Sequence, residues 1–327
     1  MKLERIDYDI PTTFVLGAGF SAAQQFPLMS GLKERVIHFL EAERHSSYKS
    51  HLEETDWFSN GQFYEGLRIA DPDKRLGLEE LLIEIKKHLV DGQSPCHVTE
   101  RVLKTGTARL WWCISSSIWQ VEQTYRSFAK HLGSAKGRWH AVTFNWDLLL
   151  EQACIEAGVR WSYSLDEAID KGDVPILKPH GSINWNSFRQ QGLSPEYQGW
   201  RAISPGSTIS YDADNPLRNP DMQEVNPLLR WCLYPGDPDL PESHSDIQNL
   251  WRDVTQSLRN SARVVFIGYS LPEYDVYAGD KFKRTCEDKG VEVNDPSGIV
   301  LDRFSDLLPR AILHERRFEA TPYASWP

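Results

Sequence analysis

No run of apolar residues in this chain approaches the roughly 20 needed to cross a bilayer. The opening Met1-Lys2-Leu3-Glu4-Arg5 lacks the apolar stretch of a secretory signal. The expectation is a cytoplasmic protein without membrane association. Cysteine is scarce and scattered: Cys96, Cys113, Cys154, Cys232 and Cys286 are odd in number and never form a C-x-x-C pair. That argues against a disulfide framework and against a structural zinc ribbon, leaving free buried thiols and no metal site as the expectation. Basic residues are outnumbered as well. The net charge of −10 repels phosphate on average, so no direct nucleic-acid binding is expected beyond what a local basic pocket allows. Internal repeats and low-complexity tracts are also absent. What is present is ordinary globular composition, with 40% hydrophobic and 25% charged residues in a 327-residue chain. That is enough for one large α/β domain or two modest ones.

Thr12-Thr13-Phe14-Val15-Leu16 is β-branched and aromatic and runs straight into Gly17-Ala18-Gly19, the pattern of a buried strand ending in a tight turn. Ser30 is placed to cap a following helix in which Leu32, Val36, Phe39 and Leu40 recur at helical spacing. Residues 45–77 are polar and without a clear period, a mixture of loop and short helix. Leu78, Leu81, Leu82, Ile85 and Leu89 form one helical face. Leu110, Ile114, Ile118, Val121, Tyr125, Phe128 and Leu132 form another, with Gly133 placed to end that helix. Its steps of four and three fit a core helix best, though an oligomer seam has the same spacing.

From about residue 139 strands alternate with helices. Strands are predicted at Trp139–Phe144, Val174–Leu177, Arg263–Ile267 and Val291–Val293, and helices from Asp147 to Ala157, from Ser245 to Arg259 and beyond Pro272. Residues 187–242 are rich in Pro, Gly, Ser and Asn and read as loops around short strands. The fold class this implies is α/β: a Rossmann-like, doubly wound parallel sheet with a helical insertion, at about 40–135, after the first strand. The whole of 1–327 is expected to form one domain.

Four segments at predicted strand ends carry the chemistry, since ligands of open α/β sheets bind there. Gly17-Ala18-Gly19-Phe20-Ser21-Ala22 has the form G-x-G-x-x-A, in which the glycines permit a tight turn and close approach to a pyrophosphate. The acid expected some 20 residues later is missing, which speaks against a common NAD dehydrogenase; a plain glycine turn is the alternative. Thr143-Phe144-Asn145-Trp146-Asp147 offers an amide and a carboxylate two residues apart to grip ribose hydroxyls or a carboxamide, unless Asp147 only caps the next helix. Lys178-Pro179-His180-Gly181-Ser182 places a histidine, whose intrinsic pKa of about 6.5 suits proton transfer, beside a glycine. Gly268-Tyr269-Ser270, leading into Leu271-Pro272-Glu273-Tyr274-Asp275, is a phosphate or ribose contact or a simple turn, and Asn294-Asp295 is a weaker candidate for the adenine-side ribose.

In this order, G-A-G-x-S at 17–21, T-x-N-x-D at 143–147, H-G-S at 180–182 and Gly-Tyr-Ser at 268–270 resemble the sirtuin-like superfamily. With Trp185 and the Gly-Tyr-Ser-Leu-Pro-x-x-Asp run, the chain looks closer to the zinc-lacking bacterial effectors of anti-phage defence than to the zinc-containing deacetylases. The resemblance implies NAD as substrate, lying across the strand ends of a Rossmann-like sheet. Gly17, Ala18, Gly19 and Ser21 would line the diphosphate. Asn145 would hold the nicotinamide ribose, Asp147 would contact the carboxamide or orient Asn145, and His180 would be the general base. Gly268, Ser270 and Asn294 would lie toward the adenosine half. Phe144 stands where the family carries a glutamine, and no four-cysteine module is present; both put acyl-lysine deacetylation in doubt.

The activity so implied is NAD hydrolysis to nicotinamide and ADP-ribose, with NAD loss halting the infected cell. An NAD-dependent deacylase or ADP-ribosyltransferase, a non-catalytic NAD or ADP-ribose sensor, and a scaffold remain the alternatives. A free NAD hydrolase would harm its own cell, so a trigger is expected in self-assembly into a homo-oligomer or in a separate activating chain, Argonaute-like, ATPase or phage-derived.

Overall fold

The structure, a computed structural model, describes residues 6–24, 26, 31–44, 61–89, 95–96, 98–100, 102–103, 106–107, 110, 120–186, 230–232 and 245–326. Ser30, Ile114, Ile118, Cys113 and most of 187–242, named above, lie outside them, as does the side chain of Trp185.

Strand β1 (Thr12–Leu16) is buried along its whole length, and so are β2 (Trp139–Thr143) and β4 (Val174–Leu177). Strands covered by helices on both faces need no polar alternation, which is why these segments are nearly continuous apolar runs. With β3 (Trp161–Ser162), β7 (Arg263–Ile267), β8 (Gly290–Asp295) and β9 (Ile312–Glu315) they form one seven-stranded parallel sheet in the order β3-β4-β2-β1-β7-β8-β9. The expected α/β Rossmann-like architecture is therefore the one observed. β5 (Gly181–Asn186) and β6 (Arg230–Cys232) pair antiparallel as a separate two-stranded ribbon.

The chain crosses from β1 to β2 on one side and later returns to place β7 on the other. β1 thus marks the point where strand order reverses, where a crevice opens beyond the carboxyl ends. Every described regular element between β1 and β2 is helical: α1 (Ala18–Ser21), α2 (Leu32–Arg44), α3 (Gln62–Ala70), α4 (Leu78–Lys87) and α5 (Gln123–Ser134) among them. Leu32, Val36 and Leu40 of α2 and Leu78, Leu81, Leu82 and Ile85 of α4 are buried as their spacing predicts. α3 is a short helix inside the stretch read as a mixture of loop and short helix.

One expectation needs correcting. The apolar row from Leu110 to Leu132 does not lie on a single helix, because residues 120–122 are non-helical and α5 begins at Gln123. Side chains from other elements capture the backbone there: Val121 N–H donates to Glu156 Oε1 at 3.1 Å and Glu122 N–H to Gln24 Oε1 at 3.0 Å. Val121, Tyr125, Phe128 and Leu132 are fully buried in the core, where Phe14, Phe20 and Phe318 pack against the Tyr125 and Phe128 rings. Beyond β2 come α6 (Leu149–Glu156), α7 (Leu165–Lys171), α8 (Ser245–Asn260), α9 (Val276–Cys286) and α10 (Gly298–Leu307). β3, β9, α7 and α10 were not foreseen; they are short, and both edge strands lack a continuous apolar run.

Candidate functional site at the strand ends

The register of the three central strands builds the site. Leu16 of β1 stands opposite Thr143 of β2 and Ile267 of β7, so all three strands end at one level. The residues that follow, Gly17, Phe144-Asn145 and Gly268-Tyr269-Ser270, therefore emerge side by side. Val142 of β2 pairs with Leu177, the last residue of β4, which delivers Lys178-Pro179-His180 to the same rim. Together they form an open cleft lined by Gly17, Ala18, Ser21, Asn145, Asp147, His180 and Ser270, and also by Phe144, Trp146, Tyr269, Pro272, Tyr274 and Asp275.

Gly19 and Gly268 do not line this cleft; they let two loops interlock. A Cβ on Gly17 or Gly19 would sit within 2.7 Å of Gly268 or Tyr269 backbone atoms. Gly268 has φ +60°, and a Cβ there would meet Gly19 C and Phe20 N at 2.4 Å. Gly19 N–H donates to Gly268 O at 2.9 Å across the join. Leu271, just beyond, is held at φ 47°, a left-handed conformation that costs energy for a branched-chain residue and lies between the cleft residues Ser270 and Pro272. Asn294 does not line the cleft either. It is 1% exposed at the end of β8, donates to Phe266 O at 3.3 Å and accepts from Arg316 Nε at 2.7 Å, so its side chain ties β8 to β7 and to the chain beyond β9.

A polar relay links the first two motifs. Asn145 Nδ2 donates to Gly17 O at 2.9 Å and to Ser21 Oγ at 3.0 Å. With both amide hydrogens used, Oδ1 has no partner among the described residues and is the free acceptor. The Ser21 hydroxyl also acts on the nearby Asp147 carboxylate, countering the rise that burial imposes. Asp147 is 4% exposed and accepts from Leu149 N–H at 3.0 Å, so it ties down the first N–H of α6, just ahead of the Leu148 N-cap, and lines the cleft at once. Burial pushes its carboxyl above the ordinary range, while the Lys178 charge, the Leu149 N–H and the Ser21 hydroxyl act in the opposite direction.

Lys178, absent from the sequence-predicted site, supports the loop from beneath. Its ammonium is fully buried, donates to Asp147 O at 2.5 Å and pairs with Glu151 Oε1 at 2.9 Å. Tyr163 OH donates to the same Glu151 oxygen at 2.9 Å.

His180 sits across the cleft. The edge of its ring meets Phe144 at 4.6 Å between centroids, and its backbone oxygen accepts from Trp146 Nε1 at 3.0 Å. Phe144 also packs on Tyr269 at 4.4 Å between centroids and so forms a hydrophobic wall beside the imidazole. His180 Nε2 lies 3.4 Å from Asp275 Oδ2. Among the described residues no group of three or more His, Cys, Asp and Glu is placed to hold a metal ion, and no helix is long and apolar enough to cross a membrane.

No family model matches the chain, and no curated protein matches it. Among solved structures it is similar to a Sir2 enzyme from work on the mechanism and regulation of those enzymes, at 11% identity and a TM-score of 0.43, over 96% of this chain and 89% of the other. It is also similar to Sir2Tm bound to a propionylated peptide, at 13% identity and a TM-score of 0.39, over 94% and 88%. A third is a mutant Sir2 homologue in complex with ADP ribose, at 12% identity and a TM-score of 0.43, over 95% and 88%. Identities and TM-scores this low assign neither a family nor an activity.

Proposed function

We propose that the chain is an NAD glycohydrolase: NAD⁺ and water give nicotinamide, ADP-ribose and a proton. The observation that carries this reading is the convergence of Gly17, Ala18, Ser21, Asn145, Asp147, His180 and Ser270, from four separated segments, on one cleft at the switch point of a parallel sheet. In the reaction the bond between ribose C1′ and the pyridinium nitrogen breaks. Its electron pair goes to that nitrogen, which loses its positive charge, so the leaving group needs no acid. C1′ passes through an oxocarbenium-like transition state and forms a new bond to water oxygen.

Each residue then has a task. Asn145 Oδ1, without a partner among the described residues, accepts from a ribose hydroxyl. Asp147, desolvated beside the reacting carbon, stabilises the developing cation, because charge interactions are stronger where water is excluded. His180 takes the proton of the attacking water and releases it to solvent. Gly17, Ala18, Ser21 and Ser270 face the diphosphate and adenosine side. Such an activity drains the NAD pool, which fits an effector of bacterial anti-phage defence held inactive until self-assembly or a partner chain triggers it.

The test is incubation of purified chain with NAD, following nicotinamide and ADP-ribose by chromatography. His180→Ala and Asn145→Ala are each expected to lower turnover by about 10²–10⁴-fold without unfolding the protein. Near-wild-type turnover in either folded variant rules out its assigned role. Transfer of ADP-ribose to an acceptor, in place of free ADP-ribose, replaces hydrolysis by a transferase reading.

A further inference from the structure

Asp275 opens α9, far from His180 in sequence, yet its carboxylate faces the imidazole inside the cleft. The pair is enclosed, with His180 at 7% and Asp275 at 4% exposure. Asp275 is fixed on two sides: Oδ1 accepts from Ala278 N–H at 3.4 Å in the first turn of α9, and Oδ2 accepts from Tyr269 OH at 2.7 Å. That same Oδ2 lies 3.4 Å from His180 Nε2. The separation is longer than an ideal hydrogen bond, as resting catalytic contacts commonly are. His180 Nδ1 has no partner among the described residues.

We infer that Asp275 is a positioning residue for His180. The carboxylate holds the imidazole proton on Nε2, leaves the Nδ1 lone pair to accept a proton from water, and balances the imidazolium that then forms. Tyr269 donates to the shared oxygen and keeps the carboxylate aimed at the ring. This assignment of roles rests on the glycohydrolase reading; the pairing of the two side chains does not. A carboxylate is required, because an acceptor without a second donor function leaves the ring a single favoured tautomer. An Asn in its place offers both an N–H and a C=O and removes the charge that compensates the imidazolium.

The experiment uses the full chain with ¹⁵N-labelled histidine, the His180 signals being assigned by their loss in His180→Ala. Long-range proton–nitrogen spectra of the neutral ring are expected to show the Nε2–H form in wild type. In Asp275→Asn that preference is expected to collapse toward a mixture, with thermal unfolding little changed because Asn retains an oxygen for Ala278 N–H while its Nδ2 can donate to the Tyr269 hydroxyl oxygen. Tyr269→Phe is expected to weaken the preference partially. In parallel, Asp275→Asn is expected to lower kcat for nicotinamide release by about 10²–10⁴-fold while KM stays within a few-fold.

An Nδ1–H ring in wild type, or ring signals unmoved by Asp275→Asn, overturns the assignment. So does a loss confined to KM. If wild type releases no nicotinamide from NAD, the glycohydrolase reading fails, and the nitrogen spectra alone then decide whether Asp275 sets the His180 tautomer.

Discussion

Lys178→Met isolates the buried ion pair beneath the cleft. The substitution keeps an unbranched stem of similar length and removes one charge from a site where Lys178 is 0% and Glu151 1% exposed. Glu151 then keeps only the Tyr163 hydroxyl, at 2.9 Å, on Oε1, while Oε2 already lacks a partner among the described residues. Removing one member of a buried pair strands the other charge in low dielectric and costs about 3–5 kcal/mol. Loss of the 2.5 Å bond to Asp147 O adds about 1–3 kcal/mol if that carbonyl finds no substitute. The expected total is about 4–8 kcal/mol, read from urea unfolding with an unchanged slope. In Lys178→Met/Glu151→Gln the stranded charge is gone and Tyr163 keeps an acceptor, so about half of the loss is expected to return. A single-variant loss below about 1 kcal/mol, or a double-variant loss equal to the sum of both singles, refutes the view that the pair is energetically coupled.

Asp147→Asn separates stability from chemistry. Burial raises the Asp147 carboxyl above 3.8, so its contribution to stability is complete below that value and is lost as pH rises through the raised folded value. At neutral pH the variant is therefore expected to melt above wild type, with the difference shrinking in acid, while nicotinamide release falls at least about 10²-fold; a variant that melts lower at pH 7 contradicts this. Gly268→Ala forces a side chain to φ +60° and a Cβ to 2.4 Å from Gly19 and Phe20 backbone, and is expected to cost at least about 2 kcal/mol in thermal unfolding together with NAD turnover. Ser21→Ala removes an acceptor of Asn145 Nδ2 and a hydroxyl that favours the Asp147 carboxylate, and is expected to lower kcat about 10- to 100-fold with a stability change near 1 kcal/mol; an effect on melting alone would make Ser21 purely structural.

Much of the fold was legible because its signals are local. β1, β4 and β7 fall at the positions their apolar, β-branched runs indicate, since a strand covered on both faces must be apolar throughout. Helical spacing likewise marked the buried faces of α2 and α4. The break before α5 was not legible, because it depends on Glu156 and Gln24 reaching in from other elements to cap residues 121–122. The short edge strands β3 and β9 gain their pairing from neighbours rather than from their own composition.

In the site, Asn145, Asp147 and His180 could be picked out because polar residues at the ends of apolar strands stand out against their surroundings. Their partners could not. Asp275 looked like one more acid in the Leu-Pro-x-x-Asp run, and Lys178 like a charged residue before a proline. Asn294 read as a ligand contact, and its amide is instead engaged with Phe266 and Arg316.

The sequence by itself determined the alternation of strand and helix and the residues able to do chemistry at each strand end, because both follow from side-chain period and chain-local turn chemistry. Only the tertiary structure decided that Leu16, Thr143 and Ile267 end at one level, that Lys178 meets Glu151, and that Asp275 faces His180. Register between strands and the return of the chain to the far side of β1 set those contacts. Both are properties of the assembled sheet, in which residues distant along the chain are brought together by burying the same core.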